Sequence, residues 1–170
     1  ALTPALAKAI TTNKCDDLNT LRHSEMGLYQ REHIYPDRTQ AEYLLCKNGT
    51  DALVQLIKNS TGVMFNGGDQ SLTRKVLFDE NNKPYPWTKA LQSRPVVVGT
   101  SAGTAVQSGG QAHGGNVVMI TNGTSLSALK EGAQAIDAPS ERSNSDSLTY
   151  NRFGGLGTFS YGVLDTHFSE

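Results

Sequence analysis

The sequence predicts an α/β domain built on a mostly parallel sheet. Short apolar runs alternate along the chain with segments of helical composition, and polar residues suited to chemistry follow several of these runs directly. A length of 170 residues is enough for one domain with a core of its own. We therefore expect a single domain over 1–170, with helices on both faces of the sheet and a site at the carboxyl ends of the strands.

The individual elements follow from composition and spacing. An apolar stripe of Leu53, Leu56 and Ile57 is typical of one helix face. Helices are predicted at 2–11, 39–47, 50–58, 70–78, 87–93 and from about 102. Strands are predicted at 62–65, 95–98, 117–120 and 162–165. The polar segments 15–35 and 137–152 have no period and receive no assignment.

Charge and cysteine content exclude several classes of function. With 15 basic and 16 acidic residues the net charge is -1, so nothing favours binding to nucleic acid or to an anionic membrane surface. No apolar run reaches the roughly 18 residues of a membrane span. Cys15 and Cys46 have no CxxC spacing and no Cys/His cluster near them, so we expect no metal site. They either pair, which suits an oxidising compartment, or remain two buried thiols.

The pentapeptide Gly99-Thr100-Ser101-Ala102-Gly103 follows the apolar run 95–98 and reads G-x-S-x-G. Small residues at this point permit a sharp turn from strand to helix. Such a turn lifts the serine hydroxyl out of the sheet edge and aims the next backbone N–H groups at the same point. The alternative is a tightly packed βα turn without chemistry. The functional interpretation predicts a nucleophile and half of an oxyanion hole.

Two further strand ends carry suitable residues. The strand 62–65 runs into Asn66-Gly67-Gly68-Asp69-Gln70, where paired glycines let backbone N–H groups approach a substrate oxygen, although a plain turn capped by Asp69 has the same sequence. The strand 162–165 runs into Thr166-His167, which supplies a general base. The competing histidines are His113, in a glycine-rich loop, and His23 and His33, in the unassigned segment.

These segments resemble a known family. Phe65–Gln70, Gly99–Gly103 and Asp165–Phe168 are similar to the signature segments of cyanophycinases, in a family that also contains the aspartyl dipeptidases (peptidase E). Gly154-Gly155-Leu156-Gly157 is similar to the family's approach to its catalytic histidine. The resemblance covers about 50–170, while 1–49 is divergent. It implies a flavodoxin-like three-layer sandwich related to class I glutamine amidotransferases.

The resemblance also implies a role for each matching residue. Ser101 corresponds to the nucleophile and His167 to the general base. The N–H groups of Gly68 and Ala102 correspond to the oxyanion hole. The positions implied to contact substrate are Asp69, Gln70, Thr100 and Asp165. Neither a metal nor a cofactor is implied.

The acid of the triad is open between two residues. The family places it between the serine and the histidine. Glu141, followed by Arg142, resembles the segment that carries it, and Asp146 is the alternative. The interval from Ser101 to His167 is longer than is usual in the family, which predicts an insertion around 109–135.

The chain departs from the family pattern at both ends. The family continues after the histidine with a basic run of the type Arg-Gly-Arg, whereas this sequence stops at Glu170. The family's first strand, with its glycine-rich turn, has no convincing match before residue 50. We therefore expect a sheet that is incomplete at both ends.

The implied activity is hydrolysis of cyanophycin, a polyaspartate with arginine on its side chains, to β-aspartyl-arginine dipeptides. The nearest alternative is a peptidase for short peptides with N-terminal aspartate. An esterase that uses G-x-S-x-G and an inactive aspartyl-binding homologue are the others. The subgroup most similar is secreted and bacterial, so a secreted or periplasmic location is expected, with the cytoplasm as alternative. Family members are often dimers, but the sequence does not determine the oligomeric state.

Overall fold

The computed structural model describes residues 2–18, 36–112, 115–135 and 146–166. The helices are α1 (Pro4–Thr12), a 3-10 turn (Cys15–Asp17), α2 (Pro36–Lys58), α3 (Gln70–Arg74), α4 (Thr88–Gln92), α5 (Ala102–Ala105) and α6 (Ser125–Glu131). The strands are β1 (Gly62–Phe65), β2 (Val96–Gly99), β3 (Gln111–Ala112), β4 (Gly115–Asn116), β5 (Met119–Asn122), β6 (Gln134–Ala135) and β7 (Thr149–Asn151). The α/β character predicted from the sequence is confirmed.

Helix α1 begins and ends with standard caps. The hydroxyl of Thr3 accepts a hydrogen bond of 3.2 Å from the Leu6 amide, and Pro4 occupies the first turn, where its missing N–H costs nothing. Asn13 ends the helix in the left-handed conformation. The buried face of α1, which includes Leu6 and Ile10, packs against α2 and contributes to the core.

A disulfide joins the chain after α1 to helix α2. Cys15 and Cys46 are bonded, with 5.7 Å between their Cα atoms, so of the two interpretations left open by the sequence the paired one is confirmed. On the surface beside it, the Asp16 carboxylate accepts hydrogen bonds from Lys47 and Tyr43. These bonds lower the pKa of Asp16, Lys47 contributing most, and the bond to Asp16 raises the pKa of Lys47.

Helix α2 consists of two helical halves. Gly49 lies between them with φ 80° and ψ -174°, a backbone conformation in which an L side chain is strained. This break agrees with the two separate helices predicted at 39–47 and 50–58. Leu53 and Ile57 from the predicted stripe are buried in the core, whereas Leu56 is exposed. Within the described ranges, no helix combines the length and apolar character required to cross a membrane.

Strands β1 and β2 pair in parallel, as predicted. Gly62 lies opposite Val96 and Phe65 opposite Gly99, so both strands end at the same edge. Trp87 is fully buried in the core beside them and donates a hydrogen bond of 2.8 Å from its indole nitrogen to the Val76 carbonyl. The turns that leave the two strands therefore start side by side.

The third and fourth predicted strands differ from the observed ones. The apolar run at 117–120 forms β5 two residues later, and β5 pairs antiparallel with β7 rather than joining β1 and β2. Strand β7 lies inside the segment 137–152 that had no assignment. It is polar, and Thr149 and Asn151 are nonetheless buried. The hydroxyls of Thr121 and Thr149 share a hydrogen bond of 2.7 Å, so polar pairing replaces the apolar pattern that sequence analysis detects.

The strand predicted at 162–165 is wrong, because these residues form bends and irregular chain. Val163 is exposed, and the Leu164 amide donates to the Ser108 hydroxyl instead of to a neighbouring strand. Exposure alone does not distinguish this run, because Val96 and Val98 of the parallel strand β2 are exposed as well. The difference is that, within the described residues, no strand pairs with 162–165. The described strands form one parallel pair, one hairpin (β3–β4) and one three-stranded sheet in the order β5-β7-β6, where β6 runs parallel to β7.

Candidate functional site

The candidate site lies at the carboxyl edge of β1 and β2. The Thr100 amide donates a hydrogen bond of 3.1 Å to the Phe65 carbonyl, so the two strands remain paired to their last residues. Beyond that point each chain turns sharply. The loop after β1 carries Gly67 and Gly68, and the turn after β2 carries Ser101.

Ser101 has an unusual backbone conformation, with φ 51° and ψ -123°. The other described residues with positive φ that are not glycine are Asn13 and Asn82. Asn13 has ψ 36° and is in the left-handed helical region that asparagine tolerates, whereas the ψ of Ser101 lies outside that region. Directly after it the chain is helical, because the amides of Gly103 and Thr104 donate to the carbonyls of Thr100 and Ser101 at 2.9 and 2.7 Å. Such local strain persists where the surrounding structure imposes it, commonly at functional sites. The predicted strand-to-helix turn is therefore present.

The flanking glycines of the motif are needed for close backbone contact. A Cβ at Gly99 would overlap the Gly103 carbonyl, and a Cβ at Gly103 would overlap the Phe65 carbonyl. Helix α5 therefore packs directly on the backbone of both strands. This contact imposes the conformation of Ser101 and explains why the motif has glycine at both ends.

The loop after β1 lies against the serine. A Cβ placed on Gly67 would be 3.2 Å from the Ser101 Cβ and 3.7 Å from its Oγ. Gly68 follows with φ 133° and is exposed, a conformation that favours glycine. Ala102 is the first residue of α5 and is buried, and first-turn amides have no acceptor within their own helix. The structure thus brings together Ser101, Thr100, Ala102 and the Gly67–Gly68 loop.

Asp69 and Gln70 have structural partners. The Asp69 carboxylate caps α3 by accepting hydrogen bonds of 2.7 Å from the Ser71 amide and 3.3 Å from the Leu72 amide. The Gln70 side-chain amide donates at 3.1 Å to the Ile120 carbonyl of β5. The capping alternative for Asp69 is therefore confirmed, and contact of either residue with a substrate stays a prediction.

The glycine-rich segment 154–157 packs against the residues that follow helix α5, which we call the elbow helix because it follows Ser101. The amides of Gly155 and Leu156 donate to the carbonyls of Ser108 and Val106, both at 2.6 Å. A Cβ on Gly155 would overlap the Val106 carbonyl, so this glycine is required by contact as well. Arg74, at the end of α3, is buried and donates from Nε to the Gly154 carbonyl at 2.7 Å. The predicted motif 154–157 therefore joins the elements that follow β1 and β2.

The remaining predicted residues are divided between described and undescribed parts of the chain. Asp165 is exposed and its carboxylate accepts from the Thr166 amide at 2.8 Å. Asp146 is exposed, and its backbone carbonyl accepts at 3.2 Å from the Thr124 amide, which places it near the end of β5. Two expected members of the triad, His167 and Glu141, lie outside the described residues. The other three histidines, His23, His33 and His113, lie outside them too.

Sequence analysis missed an apolar groove of about 940 Å³ that is lined in part by the loop at 66–69. Side chains of β1, α2 and α3 line it, including the exposed Met64 and Leu72 and the buried Glu42, and Ser101 is not among them. Exposed large apolar residues on β1 and α3 are the corresponding signal, but exposure cannot be read from one sequence. The groove shares the Gly67–Gly68 loop with the serine and is separate from it.

Among the residues that the structure describes, no group of three or more His, Cys, Asp or Glu side chains is placed to hold a metal ion. The described arrangement offers a serine hydroxyl on a strained turn, with a glycine loop beside it and a helix starting next to it. No family model matches the chain, and no solved structure matches it at a significant level.

Proposed function

We propose that this protein is a serine hydrolase that cleaves amide bonds through an acyl-enzyme on Ser101. The observation that carries the proposal is the backbone of Ser101, which has φ 51° at the end of a parallel strand. The glycine loop after β1 packs closely against Ser101: a Cβ on Gly67 would be only 3.2 Å from the Ser101 Cβ. Strand, strained serine, helix and adjacent glycine loop together form the arrangement that nucleophile elbows use.

The proposed chemistry assigns one role to each residue. The Ser101 hydroxyl attacks the substrate carbonyl carbon and passes its proton to His167. The amides of Gly68 and Ala102 stabilise the negative charge that develops on the carbonyl oxygen, an effect of about 3 kcal/mol for a single donor in comparable enzymes. His167 then protonates the leaving amine, which departs and leaves the acyl group on Ser101. Water, activated by His167, cleaves the ester and restores the hydroxyl.

Glu141 or Asp146 would orient the imidazole of His167 and stabilise its charged form. Glu141 is favoured because Glu141-Arg142 is similar to the segment that carries the triad acid in cyanophycinases. Thr100 and Asp165, with Asp69 and Gln70, would contact the substrate.

The resemblance to cyanophycinases supports cyanophycin as the substrate and β-aspartyl-arginine as the product, and with them a flavodoxin-like sandwich. Short peptides with N-terminal aspartate are the alternative substrate of the same family. The Cys15–Cys46 disulfide supports an oxidising compartment, hence a secreted or periplasmic location.

The test is the Ser101→Ala variant with Ser125→Ala as matched control, because Ser125 is an exposed serine at the start of α6. Each protein is incubated with insoluble cyanophycin and with an aspartyl dipeptide, and released products are measured by mass spectrometry. We expect the wild type and Ser125→Ala to release product equally. Ser101→Ala should be slower by about 10⁴-fold or more, since the nucleophile is lost.

A fluorophosphonate probe completes the design because it reports the serine independently of the substrate. If the probe labels Ser101 in the wild type but neither substrate releases product, the protein is still a serine hydrolase, and both proposed substrates are wrong. Absence of labelling and of release would reject catalysis and favour the aspartyl-binding homologue. Undiminished release by Ser101→Ala would overturn the mechanism.

A further inference from the structure

Ser108, three residues after the end of helix α5, is completely buried. Helical hydrogen bonds continue past α5, since the amides of Val106 and Ser108 donate to the carbonyls of Ala102 and Ala105 at 3.0 and 3.1 Å. Ser108 therefore belongs to the rigid unit that starts at Ser101, seven residues earlier in the chain. Its exposed fraction is 0%. A buried hydroxyl needs a hydrogen-bond partner inside the protein.

The partner of the Ser108 hydroxyl is the backbone of the segment that leads to His167. The Leu164 amide donates to the Ser108 Oγ at 2.7 Å across 56 residues of sequence. His167 follows Leu164 by three positions, and a chain of three residues spans about 10 Å at most. The hydroxyl thus holds a backbone amide that lies three residues before the proposed base in the sequence.

Backbone bonds hold the earlier part of the same segment. The Phe159 amide donates to the Gln107 carbonyl at 3.1 Å, and the Gly109 amide donates to the Phe159 carbonyl at 3.2 Å. The Gly155 amide donates to the Ser108 carbonyl at 2.6 Å. These contacts survive a side-chain substitution at Ser108. The bond to Leu164 does not, because its acceptor is the side chain itself.

We propose that Ser108 is a positioning residue for the general base, acting through the Leu164 amide. The inference rests on the proposed hydrolase function. Ser101 precedes helix α5 and Ser108 follows it by three residues, so one short segment carries the nucleophile and the acceptor for Leu164, which is three residues before His167 in the sequence. Small displacements between reacting groups have large effects on rate, with about 100-fold for 1 Å in unfavourable cases.

The experiment compares Ser108→Ala, which removes the acceptor, with Ser108→Thr, which keeps a hydroxyl. Thr158→Val is the matched control, because Thr158 is exposed in the same segment and its hydroxyl makes only a long contact of 3.5 Å to Gln107. The rate of fluorophosphonate labelling at Ser101 is measured by mass spectrometry for each protein, and again with His167→Ala present. Hydrogen exchange at the Leu164 amide and thermal unfolding report the contact and the fold.

We expect Ser108→Ala to label about tenfold more slowly than the wild type, with faster exchange at Leu164. Ser108→Thr should recover most of the rate, and Thr158→Val should label at the wild-type rate. In the His167→Ala background, Ser108→Ala should cause no further loss, because the residue acts only through the base. A general loss of structure would instead lower the rate in both backgrounds.

Equal rates for Ser108→Ala and wild type would overturn the inference and leave the hydrolase intact. Additive losses in the two backgrounds would also overturn it, since the effect would then not pass through His167. If Ser108→Ala does not fold, the double comparison is made with Ser108→Thr and Ser108→Cys. Failure of the wild type itself to label would reject the proposed function and this inference with it.

Discussion

Two regions of the molecule are built in opposite ways. The elbow region (62–108) contains β1, β2 and the short helices α3, α4 and α5, and its helix α5 contacts both strands through backbone atoms. The mixed-sheet region (111–135 and 146–151) contains β3–β7 and α6. Its strands have two to four residues, and α6 has no buried residue and leaves Leu129 87% exposed. The placement of Ser101 thus comes from the contact of α5 with β1 and β2, where no side chain separates the backbones.

The largest difference between the two regions is expected in the free energy of unfolding when one glycine of each region is replaced by alanine. Gly103→Ala would overlap the Phe65 carbonyl, which belongs to the backbone and cannot turn away. In Gly115→Ala, in β4, the new Cβ has no heavy atom of the described residues within 4 Å. We expect Gly103→Ala to lower the free energy of unfolding by about 3 kcal/mol or more, and Gly115→Ala to change it by less than about 0.5 kcal/mol. Urea unfolding followed by circular dichroism measures both. Similar losses of unfolding free energy in the two variants would show that the two regions do not differ in how closely their backbones pack.

An effect of similar size is expected from the disulfide between the chain after α1 and helix α2. Cys15 and Cys46 are 31 residues apart, and closing a loop of that length stabilises a protein by about 3–4 kcal/mol in the chain-entropy account. Helix α2 packs against α4, so its loosening should reach the elbow region first. The paired variant Cys15→Ser/Cys46→Ser is compared with wild type by urea unfolding and by hydrogen exchange. We expect faster exchange in β1 than in β5 and β7. Equal acceleration in all three strands would show that the two regions open together.

Helix caps give an effect of about 1 kcal/mol in each region. Asp69 caps α3, and the Thr124 hydroxyl caps α6 by accepting from the Ser127 amide at 3.2 Å. Asp69→Ala and Thr124→Ala should each cost about 1 kcal/mol, and Asp69→Asn much less, because asparagine also caps. Thermal unfolding measures the cost. Hydrolysis by Asp69→Asn then separates the roles: a folded variant with reduced activity would require a substrate contact in addition to the cap.

The smallest effect is expected at the link between the two regions. The Gln70 side chain donates to the Ile120 carbonyl, and removing one partly buried hydrogen bond typically costs about 1 kcal/mol or less. Gln70→Ala should lower the unfolding free energy by that amount, whereas Gln55→Ala, on the exposed side of α2, should not. If the KM for an aspartyl substrate also rises in Gln70→Ala, the side chain has the implied second role. A loss of several kcal/mol would mean that the regions depend on each other more than this one bond explains.

The contrast between the elbow region and the mixed-sheet region also explains which strands were predicted correctly from the sequence. Strand β1 has the predicted bounds 62–65, β2 lies one residue later than predicted, and the turn at Ser101 has the predicted form. In these places an apolar run is followed within two residues by glycine, so the local signal is strong. Strand β7 is three polar residues that pair with β5 and β6 from a distance in sequence, and no local pattern marks it. The strand predicted at 162–165 failed because a hydrogen bond to Ser108 holds that chain outside the sheets.

The candidate site was predicted in part for the same reason. The sequence shows glycine at 67, 68, 99 and 103. Because these glycines follow two apolar runs, the sequence predicts that the turns after the two strands lie next to each other. The structural partners of Asp69 and Gln70 depend on helix α3 and on β5, so the sequence left the first as one of two alternatives and missed the second. The buried Ser108 and Arg74 were not singled out, because burial of a polar side chain is decided by what packs over it.

The sequence by itself determined the order of the first elements, the parallel pair that carries the candidate site and the small residues that let Ser101 stand on a sharp turn. The order of the elements and the turn at Ser101 depend on contacts between neighbours in the chain and on whether a Cβ is present. The pairing of β1 with β2 joins distant residues, such as Gly62 and Val96, but a local apolar run marks each of the two strands. The tertiary structure decided that Cys15 and Cys46 are bonded, that β5 joins β7, and that the segment before His167 is tied to Ser108. Each of these joins residues far apart in sequence, and their stability depends on burial and pairing that exist only when the whole chain has packed.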